Sequence, residues 1–210
     1  MDAAGWDTRY ASEEFVWSID ANRWVVAELA ELPPGRALDI AAGEGRNAIW
    51  LAEHGWDVTA VDFSGEALAK GRRRAAEHPG SAALRVAWVQ ADVLRYEPAV
   101  AAYDLVLICF LHVPTAERRT VHRRAMAAVA PGGLLLVIGH DSSNLTEGWG
   151  GPQHPEVLFG PELVLADLGV AERPELVVER AERVRRPVDT PEGPRTAIDA
   201  LVRIRAAATG

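Results

Sequence analysis

Leu38-Asp39-Ile40-Ala41-Ala42-Gly43-Glu44-Gly45-Arg46-Asn47 joins a short apolar run at 37–41 to a helical pattern at 47–54 that Gly55 ends. A glycine-bearing turn between strand and helix is where doubly wound α/β folds place their ligands, outside the carboxyl end of a strand. A second apolar run fills 57–62, and Ser64 is a suitable N-cap for a helix that reaches about 78, where Pro79-Gly80 stops it. The alternation continues with strands at 84–89 and 103–110, a helix over 115–130 and a strand at 134–140. Strands separated by helices describe βαβ units, and therefore a parallel sheet covered on both faces.

Upstream of the turn, 22–32 has helical spacing through Trp24, Val25, Leu29 and Leu32, and Pro33-Pro34-Gly35 ends it. The other end of the chain follows a different rule. Residues 175–186 and 196–205 are alternating, β-branched runs joined through 187–195 with no helix between them. Two strands joined this way pair antiparallel. The expected fold is α/β, a doubly wound, mostly parallel seven-stranded sheet that ends in a C-terminal antiparallel hairpin. With no internal repeat and no low-complexity segment, 1–210 reads as one domain. Its parts are an N-terminal segment (1–32), a ligand-binding core (36–140), a loop and helix (141–174) and the hairpin (175–206).

Composition narrows the function. The 210 residues are 49% hydrophobic and 25% charged, enough to bury a full core. No run approaches the roughly 18 apolar residues needed to cross a bilayer. The opening MDAAGWDTRY has neither the basic flank nor the apolar run of a signal peptide, so the expected location is the cytoplasm. A net charge of −8 supplies no field that gathers phosphate backbones, and nucleic acid is not an expected partner. The arginine runs at Arg72, Arg73, Arg74 and at Arg118, Arg119, Arg123, Arg124 fall in helical segments and read as solvated faces. One cysteine, Cys109, and six scattered histidines give neither a disulfide nor a zinc framework.

Around the turn, Gly43 and Gly45 permit a sharp backbone course and a close ligand approach, although a plain tight turn would use them equally well. Three acidic positions favour the ligand. Asp39 precedes the turn, Asp62 ends the second strand, and Asp92 sits in Ala91-Asp92-Val93 after the third. A carboxylate at the end of the second strand accepts hydrogen bonds from ribose hydroxyls. The loop lacks GxGxxG, and Arg46-Asn47 stands where a pyrophosphate-binding helix needs small residues. An ammonium and a carboxylate fit better: Asp39 faces the first, the helix N–H groups and Arg46 the second. An adenosine that carries an amino acid satisfies both halves.

The run ALDIAAGEGRNAIWLAEHGWDVTAVDFS, the later ADV, the strand YDLVLICFLH and the strand APGGLLLV resemble class I S-adenosylmethionine-dependent methyltransferases over roughly 36–140. Within that class the opening WDTRYA, followed by Glu14, Trp17 and Asn22, is similar to the small tellurite-resistance and thiopurine-type enzymes. The resemblance implies S-adenosylmethionine as methyl donor, S-adenosylhomocysteine as product and a small-molecule acceptor. It places Asp39, Ala41, Gly43, Gly45 and Arg46 around the methionine portion and Asp62 on the ribose. Phe63 lies against the adenine, with Ala91, Asp92 and Val93 at its edge and Phe110 further along the cofactor. Arg9 and Tyr10 reach the methionine carboxylate. Ala41 replaces the first glycine of the usual motif, which suits a negative φ.

Trp6, Tyr10 and Trp17 either attach an N-terminal helix to the sheet or form an aromatic cover over a sulfonium, while Trp24 reads as helix core. An activated methyl asks for in-line approach and exclusion of water more than for a base. If a base is used, His112 after the fourth strand and His140, beside Asp141, after the fifth are the candidates; either is equally a packing residue. Cys109 reads as packing. The stretch 141–162 has no helix or strand period, and its Trp149, Gln153, Leu158 and Phe159 read as the wall of an acceptor pocket. Two other readings stay open: a non-catalytic protein that binds S-adenosylmethionine or S-adenosylhomocysteine, and a nicotinamide oxidoreductase.

Overall fold

The computed structural model describes residues 3–12, 19–80 and 84–208. Its seven strands are β1 (Arg36–Ile40), β2 (Asp57–Asp62), β3 (Arg85–Gln90), β4 (Tyr103–Cys109), β5 (Val129–His140), β6 (Leu176–Thr190) and β7 (Gly193–Ala206). The helices are α1 (Ala3–Ser12), α2 (Arg23–Leu29), α3 (Arg46–Glu53), α4 (Gly65–Glu77), α5 (Thr115–Ala128), α6 (Asn144–Glu147) and α7 (Pro161–Leu168). The strands form one sheet in the order β3-β2-β1-β4-β5-β7-β6. The backbone groups into two compact units, Met1–Glu97 and Pro98–Gly210.

In the first unit β1 pairs with β2 and β2 with β3, all parallel. Leu38, Val58, Ala60 and Val61 are fully buried, as strands covered on both faces require. Caps fix the flanking helices. Asn22 Oδ1 accepts from the Trp24 N–H and starts α2, and Ser64 Oγ accepts from the Ala67 N–H and starts α4. Trp24 itself is only half-buried, while Val25 and Leu29 carry the core face of α2.

In the second unit β4 and β5 run parallel, and β7 lies antiparallel between β5 and β6. The hairpin is longer than its apolar alternation suggests: β6 continues through Pro187, which pairs with Thr196, and only Pro191-Glu192 separate the strands. Edge strands such as β6 tolerate a proline because one side of their backbone has no ladder to serve. The stretch 141–162 also departs from expectation, since α6 and a 3-10 turn at Pro155–Val157 interrupt it. Asn144 ties α6 down, its Oδ1 accepting from the Ile198 N–H and its Nδ2 donating to the Gly150 carbonyl. Leu158 and Phe159 are not pocket wall but core. The Phe159 ring occupies the space that a Cβ on Gly139 would need, 2.4 Å away.

Arg119 and Arg123 of α5 are exposed as their helical pattern suggests, but Arg118 requires a correction. Arg118 is 1% exposed, and its Nε donates to Asp167 of α7 at 2.7 Å. His122, one turn on, has Nδ1 3.1 Å from the same carboxylate, and Arg123 donates to the Asp167 carbonyl. Burial alone would raise the Asp167 pKa, but the bonds to His122 and Arg118 outweigh it and hold it low. Arg118 is buried here because an acid on another helix neutralises it, a partner no local pattern reveals.

Candidate functional site

The turn after β1 is held open from inside the first unit. The Gly43 N–H donates to Asp62 Oδ2 at 2.8 Å and the Ser64 N–H to Asp62 Oδ1 at 2.9 Å. These bonds fix the carboxylate at the end of β2 against the glycine turn, yet each oxygen has a further lone pair. Burial pushes the Asp62 pKa up, while the Ser64, Gly43 and Phe63 N–H groups oppose the rise. The Ala91 N–H donates to the Asp62 carbonyl, so the Ala91-Asp92-Val93 turn is anchored to the same point. Val93 is buried, and Asp92 is exposed, its Oδ1 capping the Leu94 N–H. Phe63 is half-buried, and its carbonyl accepts from Gln90 Nε2.

Asp39 is the unusual group. It is 1% exposed, and among the described residues its Oδ2 has no hydrogen-bond partner. Its pKa is pushed up to about 7, first by burial and then by the neighbouring Asp62 carboxylate, with Arg46 and the Ala48 N–H opposing. A buried carboxylate with a bare oxygen beside a second carboxylate is a site for a cation. Arg46 is half-buried and also lines a cavity of about 330 Å³ with Ile49, Trp50 and Arg74. The Glu44–Lys70 pair, 3.2 Å apart and buried, braces the turn; neither residue stands out in the sequence.

Three backbone details decide how the turn is built. Ala41 has φ +59, not the negative value its side chain favours, so the first motif position stores backbone strain of about 1–2 kcal/mol. Gly43 has φ +56, and the Tyr10 hydroxyl lies 3.0 Å from where its Cβ would be. At Gly45, φ is +73 and a Cβ would fall 2.3 Å from the Trp88 ring of β3. Gly45 therefore makes room for an indole from the protein. Trp88 is the residue that sequence reasoning missed, because it lies 43 positions along the chain with nothing local to link the two.

Helix α1 reaches this turn. Trp6 and Tyr10 stack at 5.6 Å between centroids, Tyr10 is buried on Gly43, and Asp7 accepts a hydrogen bond from the Ser64 hydroxyl. The Arg9 side chain, Glu14 and Trp17 lie outside the described residues.

The second unit brings Phe110, His112 and His140 together. Phe110, just past β4, has φ +62, and its ring lies 4.9 Å from that of His140 and 6.0 Å from that of His112. His112 stacks on His140 at 5.3 Å, and its Nε2 accepts from the His140 backbone N–H at 3.0 Å. Burial, followed by the neighbouring His140, pushes the His112 pKa down to about 3, so this ring is neutral near pH 7. Asp141 does not serve His140. Its Oδ1 caps Ser143 and pairs with Arg183. The acid beside His140 is Asp199 of β7, a lone charge in an otherwise apolar stretch of strand, and that anomaly is the signal that could have found it. Cys109 is half-buried at the end of β4.

Residues 37–133 match the model of the family described as "Methyltransferase domain". The chain is 32% identical over 133 residues to demethylmenaquinone methyltransferase of Beutenbergia cavernae, a match covering 61% of this chain and 52% of that protein. The chain spans about half the length of the curated relatives it matches. Among solved structures, N-methyltransferase NodS from Bradyrhizobium japonicum in complex with S-adenosyl-L-homocysteine superposes with a TM-score of 0.70 at 19% identity, covering 98% of this chain and 99% of that one. TehB from Haemophilus influenzae superposes with a TM-score of 0.71 at 16% identity, over 89% and 62%. Residues 37–133 are thus similar to the methyltransferase-domain family, and the chain shares the fold of the methyltransferase structures on which it superposes.

Proposed function

We propose that this protein transfers the methyl group of S-adenosylmethionine to a small-molecule acceptor through an oxygen, nitrogen, sulfur or heavier chalcogen nucleophile. The observation that carries the reading is Asp39: a buried carboxylate with one bare oxygen beside Asp62, at the turn where the fold binds nucleosides. An amino acid's ammonium supplies the missing partner. Asp62 keeps lone pairs free for ribose hydroxyls, and the α3 N–H groups with Arg46 face the carboxylate. Phe63 covers the adenine, with Asp92 and Val93 at its edge. Trp6 and Tyr10 shield the site from water.

Bound S-adenosylmethionine supplies a methyl already activated on a sulfonium. What the protein must add is in-line placement and exclusion of water. The nicotinamide reading loses support because Arg46-Asn47 follows the turn where a pyrophosphate needs small residues.

Turnover separates an enzyme from a cofactor sensor. The chain is incubated with S-adenosylmethionine and a panel of thiols, phenols, amines and chalcogen oxyanions, and S-adenosylhomocysteine is measured. Acceptor-dependent product is expected for at least one class. Tight S-adenosylhomocysteine binding without acceptor-dependent product from any class would leave the sensor.

A further inference from the structure

Glu44 is the one charged side chain in Ala41-Ala42-Gly43-Glu44-Gly45, and it is 3% exposed. Its Oε1 accepts a hydrogen bond at 3.2 Å from Nζ of Lys70, a residue of α4 that is itself buried. The next residue of α4 meets the same turn at its backbone. A Cβ on Gly71 would lie 3.1 Å from the Glu44 carbonyl oxygen, and 2.5 and 2.6 Å from two ring carbons of Trp88. Those two ring carbons are also the ones nearest to where a Cβ on Gly45 would be. Lys70 and Gly71 thus meet Glu44 at its side chain and its carbonyl, and Trp88 fills the space between Gly71 and Gly45. Every residue of the arrangement belongs to the first unit.

Stability alone is a poor account of such a pair. Taking two charges out of water costs much of what their attraction returns, and apolar side chains of like volume often stabilise as well or better. What a buried pair does give is a single geometry. Here that geometry is the entrance to α3, where the Gly45 N–H donates to the Ala42 carbonyl at 2.9 Å and the Gly45 carbonyl accepts from the Ile49 N–H at 2.8 Å. The pair has an electrostatic consequence as well. Glu44 stands two residues before Arg46, and without an ammonium beside it its carboxylate would repel an anion brought to that helix end.

We propose that Lys70 is a positioning residue: by pairing with Glu44 it fixes the Glu44-Gly45 peptide and the entrance to α3, and so sets the affinity for the amino-acid half of S-adenosylmethionine. The inference rests on the methyl-transfer reading, in which the α3 N–H groups and Arg46 face the carboxylate of that half. The adenosine half, assigned to Asp62 and Phe63, does not depend on the pair.

The test titrates the full chain calorimetrically at neutral pH with two ligands. One is S-adenosylhomocysteine; the other is 5′-methylthioadenosine, which keeps the adenosine and the thioether and lacks the amino acid. The variant carries Glu44→Met together with Lys70→Met, which removes both charges at similar volume and leaves neither unpaired. It should melt near the parent. Its Kd for S-adenosylhomocysteine should rise by about 10-fold or more, the cost of one misaligned charge-assisted hydrogen bond, and its Kd for 5′-methylthioadenosine by less than about 3-fold. If the double variant does not fold, Glu44→Gln, which keeps an acceptor for the ammonium, carries the same comparison, with a rise of about 5-fold or more for S-adenosylhomocysteine alone.

A rise for 5′-methylthioadenosine as large as that for S-adenosylhomocysteine, or parental affinity for both, would overturn the inference and leave the cofactor reading intact, whatever the melting temperature. The pair would then be a brace for the fold and nothing more. A parent that binds 5′-methylthioadenosine as tightly as S-adenosylhomocysteine would show that the turn holds no amino acid. A parent that binds neither removes the methyl-transfer reading and this inference with it.

Discussion

Replacing Asp39 by asparagine is expected to stabilise the ligand-free protein at pH 8 and to weaken S-adenosylhomocysteine binding by about 10- to 100-fold. The two effects have one cause. In the folded chain the Asp39 pKa is pushed up from 3.8 to about 7. Between those values the native state keeps a proton that the unfolded state has released, so stability falls as pH rises through the window and levels off above it. Three pKa units correspond to about 4 kcal/mol, an upper figure for a buried group. Asparagine removes that penalty but leaves its own amide N–H₂ short of a partner, at about 1–3 kcal/mol, so the net gain at pH 8 is about 1–3 kcal/mol. The carboxylate that the ammonium needs is then gone. Chemical denaturation of both forms at pH 5 and pH 8, with calorimetric titration at pH 8, checks both halves. A variant less stable than the parent at pH 8, or one with parental affinity, would show that Asp39 is an ordinary core acid.

Gly45→Ala carries the second large effect, and it falls on folding first. The new Cβ would sit 2.3 and 2.5 Å from two ring carbons of Trp88, at a position with φ +73. Left-handed backbone costs an alanine about 1–2 kcal/mol, and forcing the indole aside costs about 1–3 kcal/mol. A loss of about 2–5 kcal/mol is expected by denaturant titration of the ligand-free protein. Adding Trp88→Leu should recover the packing part and leave the backbone part. If Gly45→Ala keeps parental stability and loses only S-adenosylhomocysteine affinity, the glycine serves ligand clearance and the packing account fails.

How much of this was legible before the structure depends on how local each cause is. β2 spans Asp57–Asp62 as its apolar run indicates, because a strand buried on both faces writes itself as consecutive side chains. Ser64 is a cap as read, since a cap acts on its next few residues. The C-terminal hairpin followed from the absence of a helix. The loop positions were readable as a type of turn, but their reasons were not. Gly45 answers to Trp88, and Ala41 is held at positive φ by surroundings that local propensity does not contain. Arg118 and Asp199 share a further difficulty. Each is a charge buried by a partner far along the chain, Asp167 and Arg186 in turn, so composition placed the arginine in solvent and passed over the acid.

The central claim is that the turn around Asp39, Gly43 and Asp62 holds a nucleoside bearing an amino acid, not a dinucleotide. Isothermal titration of the full chain at neutral pH with S-adenosylhomocysteine, and separately with NAD, tests it most directly. S-adenosylhomocysteine should bind in the micromolar range and raise the melting temperature with its concentration, because it binds the native state alone. NAD should give neither heat nor shift. Binding of NAD with no response to S-adenosylhomocysteine would contradict the account.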